Sequence, residues 1–172
     1  MEFDIVVADV DETPIPGETP VAMVSRLALA KSIAAQAGPR VVTLGCDTTV
    51  ALDGLALGKP GDAAHARAML LALSGRAHEV ITAFCLSSQG EVLAAEAVTT
   101  RVFMRAIDDA AAVAYVATGE PFGKAGAYAI QGEGGRFVDS IAGSYTNVMG
   151  LPVDEVLPCI ARLVPAAIEP TG

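Results

Sequence analysis

Gly45-Cys46-Asp47-Thr48-Thr49-Val50-Ala51-Leu52-Asp53-Gly54-Leu55-Ala56-Leu57-Gly58-Lys59-Pro60 follows an apolar run, Val41 to Leu44. How this stretch is read decides the fold. Residues 40–44 (Arg-Val-Val-Thr-Leu) look like a central strand covered on both faces. On that reading Asp47 stands just past the carboxyl end of the strand, where α/β proteins place ligand sites. An ionisable residue there either caps a turn or does chemistry, and the stretch alone leaves both open. Lys59, in its Leu-Gly-Lys-Pro turn, reads by itself as an ordinary solvated lysine.

Upstream, residues 3–8 (Phe-Asp-Ile-Val-Val-Ala) are expected to form a short strand, and residues 9–18 a Pro/Gly-rich acidic loop. Thr19 before Pro20 is an N-cap and first-turn pair, and helical spacing of apolar residues then runs over 21–37 until Gly38. Downstream, Asp62 caps a helix over 63–73 that Gly75 closes. Residues 78–88 and 91–106 read as two long strands of an antiparallel hairpin turning at Gln89-Gly90. Asp108 begins a third helix ending at Gly119, the glycine-rich segment 123–143 is expected to carry short strands around turns, and a last helix covers about 153–163. Strands alternating with helices, with hairpins inserted, indicate an α/β or α+β fold around a mixed, twisted sheet.

The chain has 172 residues, 52% of them hydrophobic, enough for one sizeable core and one domain. Its apolar residues are scattered, so no membrane span is expected. The acidic N-terminus lacks a secretory pattern, which makes the cytoplasm the expected address. Cys46, Cys85 and Cys159 have no paired spacing and read as reduced thiols. A net charge of −9 argues against a nucleic-acid surface, so any phosphate must meet a few local cations.

The usual nucleotide motifs are missing. Thr-Gly-Glu-Pro-Phe-Gly-Lys-Ala-Gly-Ala-Tyr (118–128) resembles a P-loop only superficially: its glycine spacing is short, and Ala125 stands where a magnesium-binding hydroxyl belongs. Gly-Glu-Gly-Gly-Arg-Phe (132–137) breaks the dinucleotide fingerprint. His65 and His78 have no companion at ligand spacing and read as structural, and no serine sits in a nucleophile elbow. Carboxylates and lysines remain. Those are the parts a phosphoanhydride hydrolase needs: oxygen donors to hold a divalent ion and deprotonate water, and cations to neutralise phosphoryl charge. Glu12, Asp47, Lys59 and Lys124 could supply them.

Taken in order, the segments Val-Asp-Glu-Thr-Pro (10–14), Arg-Leu-Ala-Leu-Ala-Lys-Ser (26–32), Gly-Cys-Asp-Thr-Thr-Val (45–50), Leu-Gly-Lys-Pro (57–60), 69–83, 115–132 and 143–152 closely resemble the Maf family of nucleoside triphosphate pyrophosphatases. The resemblance implies an elongated α/β fold akin to the inosine triphosphate pyrophosphatases, spanning 1–172 as a single Maf-like domain, with substrate in a cleft between two lobes. It also implies attack of metal-activated water, with Mg2+ or Mn2+, on the α-phosphorus of a nucleoside triphosphate. Carried over by motif, Asp47 matches the proton acceptor, Glu12 and Asp47 the metal-binding acids, and Lys59 and Lys124 the phosphate-facing lysines. Thr48 and Gln131 match positions of base selectivity.

Asp-Thr paired with Lys-Ala-Gly-Ala-Tyr-x-Ile-Gln-Gly resembles the branch acting on dTTP and UTP, whereas Val-Asp-Glu-Thr-Pro is common in the 7-methyl-GTP branch. The family's opening strand and loop, approximately L-A-S-x-S-P-R-R, has no counterpart in these residues, so the first strand is expected to be absent. That absence keeps a second reading open, a nucleotide-binding or interaction protein linked to septum formation. A homodimer is the assembly common in the family.

Overall fold

The computed structural model describes residues 3–35, 38 and 41–163. Thr19 caps helix α1 (Pro20–Ala34) through its side chain, which accepts from Ala22 N, and Pro20 occupies the first turn, where its missing N–H costs nothing. The helix ends at Ala34, before Gly38; the last residues of the expected helix, 36 and 37, lie outside the described residues, as does Arg40.

Strand β1 runs over Thr43–Leu52, so the expected strand 40–44 ends too early. Asp47 is in the middle of β1 rather than past its end. Two local causes extend the strand: Thr48, Thr49 and Val50 are β-branched and favour a pleated surface, and Asp53-Gly54 supplies a two-residue turn. Both turn residues take positive φ, 53° and 79°, as a tight hairpin requires. The chain returns as β2 (Leu55–Leu57), pairing with Val50, Ala51 and Leu52 alone.

Helix α2 (Ala63–Leu73) is capped by Asp62, whose side chain accepts from His65 N. Strands β3 (Ala77–Ser88) and β4 (Glu91–Met104) form the expected antiparallel hairpin, and Gln89 and Gly90 repeat the positive-φ turn. Helix α3 (Asp109–Ala117) starts from an Asp108 cap. The glycine-rich segment folds into two short 3-10 turns, Ala125–Ala127 and Glu133–Phe137, before a single strand, β5 (Val138–Ala142). Two helices close the described chain, a one-turn α4 (Tyr145–Val148) that the sequence did not suggest and α5 (Val153–Leu163) where it was expected.

The strand order is β2-β1-β3-β4-β5. Flanked by helices, it confirms the α/β class. Every pairing is antiparallel, so the expected mixed sheet is not what forms among the described residues. The expected strand at 3–8 is also overturned: these residues pair with no strand among the described residues, and Phe3, Ile5, Val6 and Val7 are exposed. β-branched composition alone does not make a strand; a partner must take its backbone groups.

Both faces of the sheet are covered. On one, α1 buries Val24 and Ala28 against Ala51, Ile81, Ala83 and Cys85. On the other, α2 and α3 pack Leu70, Leu73, Ala112 and Tyr115 over Val50, Val80 and Val102, while α5 covers Phe84 and Leu86 with Val156 and Cys159. Gly45 governs how closely α1 approaches. A Cβ there would collide with Ala28 O and Ser32 N and lie 2.9 Å from Ser32 Cα, so only glycine lets the helix backbone rest on β1.

Candidate functional site

β2 covers only the last three residues of β1, so among the described residues 43–49 form a sheet edge. A cavity of about 500 Å³ wraps this edge. Its walls come from the loop before α1 (Glu12), β1 (Cys46 to Val50), the turn after β2 (Lys59), the Gly123–Gln131 segment and the α4 turn (Val148 to Gly150). Successive residues of a strand point to opposite faces. At an uncovered edge, both can still border one cleft, and Asp47 and Thr48 do.

Close approach of α1 brings Lys31, in the helix's last turn, over Asp47. Lys31 Nζ lies 2.6 Å from Asp47 Oδ1 and 2.6 Å from Glu12 Oε1, bridging two carboxylates about 35 residues apart in sequence. Lys59 Nζ stands 4.0 Å from Glu12 Oε2. Glu12, Asp47 and Lys59 are therefore gathered as the sequence suggested. Lys31, central to the cluster, was not singled out; its signals were its place in the Arg-Leu-Ala-Leu-Ala-Lys-Ser segment and in the last turn of a helix leading into β1.

The two carboxylates have different environments. Burial raises the Asp47 carboxyl and the Glu12 charge adds to the rise; Lys31 opposes both, and the result lies above the ordinary aspartate value. Its side chain is 12% exposed, that of Glu12 47%. The Lys31 hydrogen bond instead holds Glu12 below the ordinary glutamate value. Lys31 loses by desolvation, but its bonds to Asp47 and Glu12 outweigh this and raise it, so it stays charged. Burial pushes the Cys46 thiol, also on the cleft wall, up to about 11, which rules it out as a thiolate nucleophile at neutral pH.

Lys124 and Gln131 line the same cleft, both exposed. Lys124 makes no ion pair and the Gln131 amide no hydrogen bond among the described residues. Thr48 faces away from α1: its hydroxyl shares a 2.9 Å hydrogen bond with Thr82 and meets Gly150 O at 3.4 Å. Below it, Asn147, fully buried, donates to Val80 O and Thr100 Oγ1, 3.0 Å each, and fastens the α4 turn to the sheet. The two histidines are structural. His65 accepts from Gly61 N, and His78, buried and pushed down to about 4, shares a 2.8 Å hydrogen bond with Tyr128.

Among the described residues no group of three or more His, Cys, Asp or Glu side chains is placed to hold a metal. Glu12 and Asp47 are two carboxylates, each with one oxygen on Lys31 and a second that makes no hydrogen bond among the described residues. Such a pair suits a hard cation that takes its remaining ligands from water and phosphate, as Mg2+ does.

A cleft with a carboxylate pair on its floor and lysines at its rim has the chemistry to suit a polyanionic, oxygen-rich molecule. The family follows from comparison: the chain belongs to the Maf family, whose model, described as Maf-like protein, matches residues 1–163. Its relatives include a dTTP/UTP pyrophosphatase of Citrifermentans bemidjiense, 48% identical over 161 residues (91% of this chain, 82% of that protein). One from Chromobacterium violaceum is 48% identical over 164 residues (90% and 81%), and one from Bordetella parapertussis 51% over 151 (84% and 72%). No helix among the described residues is long and apolar enough to cross a membrane.

Proposed function

We propose that the chain hydrolyses dTTP and UTP to the monophosphate and pyrophosphate. The observation that carries this is Asp47, a carboxylate raised above its ordinary value by burial and oriented by Lys31 on the floor of a cleft that Lys59 and Lys124 flank. A base so placed has an affinity for protons closer to neutral pH than a surface aspartate has. The oxygen of a water held by Asp47 bonds to the α-phosphorus, the bridging bond to the β-phosphate breaks, and pyrophosphate leaves with the electron pair. Asp47 takes the water's proton. Lys59 and Lys124 lie against the charge that builds on the phosphoryl oxygens. Glu12 and Asp47 are the residues that would hold Mg2+ or Mn2+, which neutralises phosphate charge and makes bound water more acidic. Gln131 and Thr48 border the cleft where a base would lie. The names of the relatives support the pyrimidine branch.

Residues from Glu12 to Gly150 contribute to this one cleft, which supports a single domain. The three cysteines are free thiols, in keeping with a reducing cytoplasm.

The test is Asp47→Asn, assayed by pyrophosphate release from dTTP, UTP, GTP and 7-methyl-GTP. Loss of a general base lowers kcat by about 100-fold or more, with the melting transition retained. Near-normal turnover in a folded variant would leave Asp47 a structural residue. Preference of the parent protein for 7-methyl-GTP would move it to the other branch. Nucleotide binding with no pyrophosphate released from any triphosphate would favour the binding-protein reading.

A further inference from the structure

We propose that Glu120 and Tyr115 form a clasp that positions Gln131, and that this clasp sets how sharply the cleft discriminates between nucleobases. The proposal rests on Gln131 facing the base. Its side chain makes no hydrogen bond among the described residues, so the backbone around it, by fixing the Cα–Cβ direction, decides which part of the cleft its amide can reach.

That backbone is held on both sides. Glu120, just past α3, accepts from Tyr115 OH at 2.7 Å and Gly134 N at 3.0 Å through Oε1, and from Glu133 N at 2.9 Å through Oε2. Tyr115 OH accepts in turn from Ala129 N at 3.2 Å. The segment is thus pinned at 129, 133 and 134, with Gln131 at its centre. The anchor is firm, since Tyr115 is fully buried and packs edge-to-face on Phe137, ring centroids 5.3 Å apart. Desolvation works against the Glu120 carboxylate, but the bonds from Tyr115, Gly134 and Glu133 outweigh it and keep the group ionised.

The glycines of Gly132-Glu133-Gly134-Gly135 have their reason here. A Cβ on Gly132 would strike the Glu120 carboxylate, one on Gly134 would lie 2.5 Å from Tyr115 OH, and one on Gly135 2.5 Å from Ile130 O. A sequence that resembles a broken nucleotide fingerprint is a backbone wrapped around a carboxylate. Glu120 also stands at the start of the turn bearing Lys124, so its bonds to Glu133 N and Gly134 N join the segment that carries the lysine to the one that carries the glutamine.

The experiment compares Glu120→Gln, Tyr115→Phe, Gln131→Ala and the double variant Glu120→Gln/Gln131→Ala with the parent. It measures kcat and KM for dTTP and dCTP by pyrophosphate release, and Tm. Replacing the carboxylate by an amide sets an NH2 against backbone N–H donors. Glu120→Gln is expected to lower the dTTP-over-dCTP ratio of kcat/KM by about 10-fold, mainly through KM for dTTP. Tyr115→Phe, the milder change, shifts the ratio in the same direction and serves if Glu120→Gln does not fold. In the Gln131→Ala background, Glu120→Gln adds less than about 2-fold, because groups acting through one residue are not additive. A clasp that is only structural lowers Tm and scales turnover on both nucleotides alike; an unchanged ratio overturns the proposal. If Gln131→Ala changes the ratio and neither clasp variant does, the clasp fails alone. If Gln131→Ala leaves the ratio unchanged, the base-facing reading of Gln131 fails with it.

Discussion

Removing the Lys31 ammonium tests the electrostatic core of the site. In Lys31→Met the stem is nearly retained, but Asp47 loses a 2.6 Å charge-assisted bond on a side chain only 12% exposed, and Glu12 loses one at a half-exposed position. The first bond contributes about 1.5–3 kcal/mol, as hydrogen bonds to charged groups do, and the second about 0–1 kcal/mol once solvent screening is allowed for. The buried carboxylate is then without its cation. At a tenfold change per 1.36 kcal/mol, disfavouring the ionised base by the first amount lowers kcat/KM by about 10- to 150-fold wherever ionisation limits the rate.

The sign with pH is definite. Toward Asp47, Lys31 stabilises the ionised form and not the neutral one, so this contribution is present where Asp47 is ionised and lost as pH falls through the raised Asp47 pKa. The acid limb of kcat/KM for dTTP therefore moves to higher pH in Lys31→Met, and activity recovers as pH rises. The loss of Tm is largest near neutral pH and shrinks in acid. Pyrophosphate release between pH 5 and 9, with melts at each pH, measures both effects. A folded Lys31→Met whose acid limb stays in place refutes the assignment of Lys31 as the group that keeps Asp47 ionised.

Two further outcomes follow from the same geometry. Gly45→Ala forces a methyl into the α1 backbone at Ala28 and Ser32. It is expected to destabilise the fold by about 1–3 kcal/mol, to lower Tm by roughly 2–4 °C per kcal/mol and to reduce turnover by displacing Lys31; unchanged melting would show that the helix has room to move. EDTA should abolish pyrophosphate release, and Mg2+ or Mn2+ should restore it, since Glu12 and Asp47 offer hard oxygen donors. Full turnover in EDTA removes the metal from the mechanism.

Local chemistry was legible without coordinates. The caps Thr19, Asp62 and Asp108, the Gln89-Gly90 hairpin and helices α1 to α3 and α5 rest on hydrogen bonds and turn dihedrals that a few neighbouring residues decide. The ordered segments likewise identified the family and named Glu12, Asp47, Lys59, Lys124, Thr48 and Gln131, all of which border one cleft. Reading Asp47 as the end of a strand failed because strand length depends on a partner. Ala83 of β3 pairs with Asp47 and carries the strand five residues further, to a hairpin whose Asp53-Gly54 signal was available. Residues 3–8 failed for the converse reason, a β-branched run with no strand beside it among the described residues. Apart from its place in the Arg-Leu-Ala-Leu-Ala-Lys-Ser segment, Lys31 had no local mark to separate it from any lysine in a helix's last turn. Its role comes from Gly45, which lets α1 settle on β1 until one ammonium meets two carboxylates, a contact between parts of the chain distant in sequence that no local pattern records. Chain-neighbour physics determined the elements and the kinds of residue in the site, whereas the sheet's edge and the crossing of helix over strand decided which of them meet.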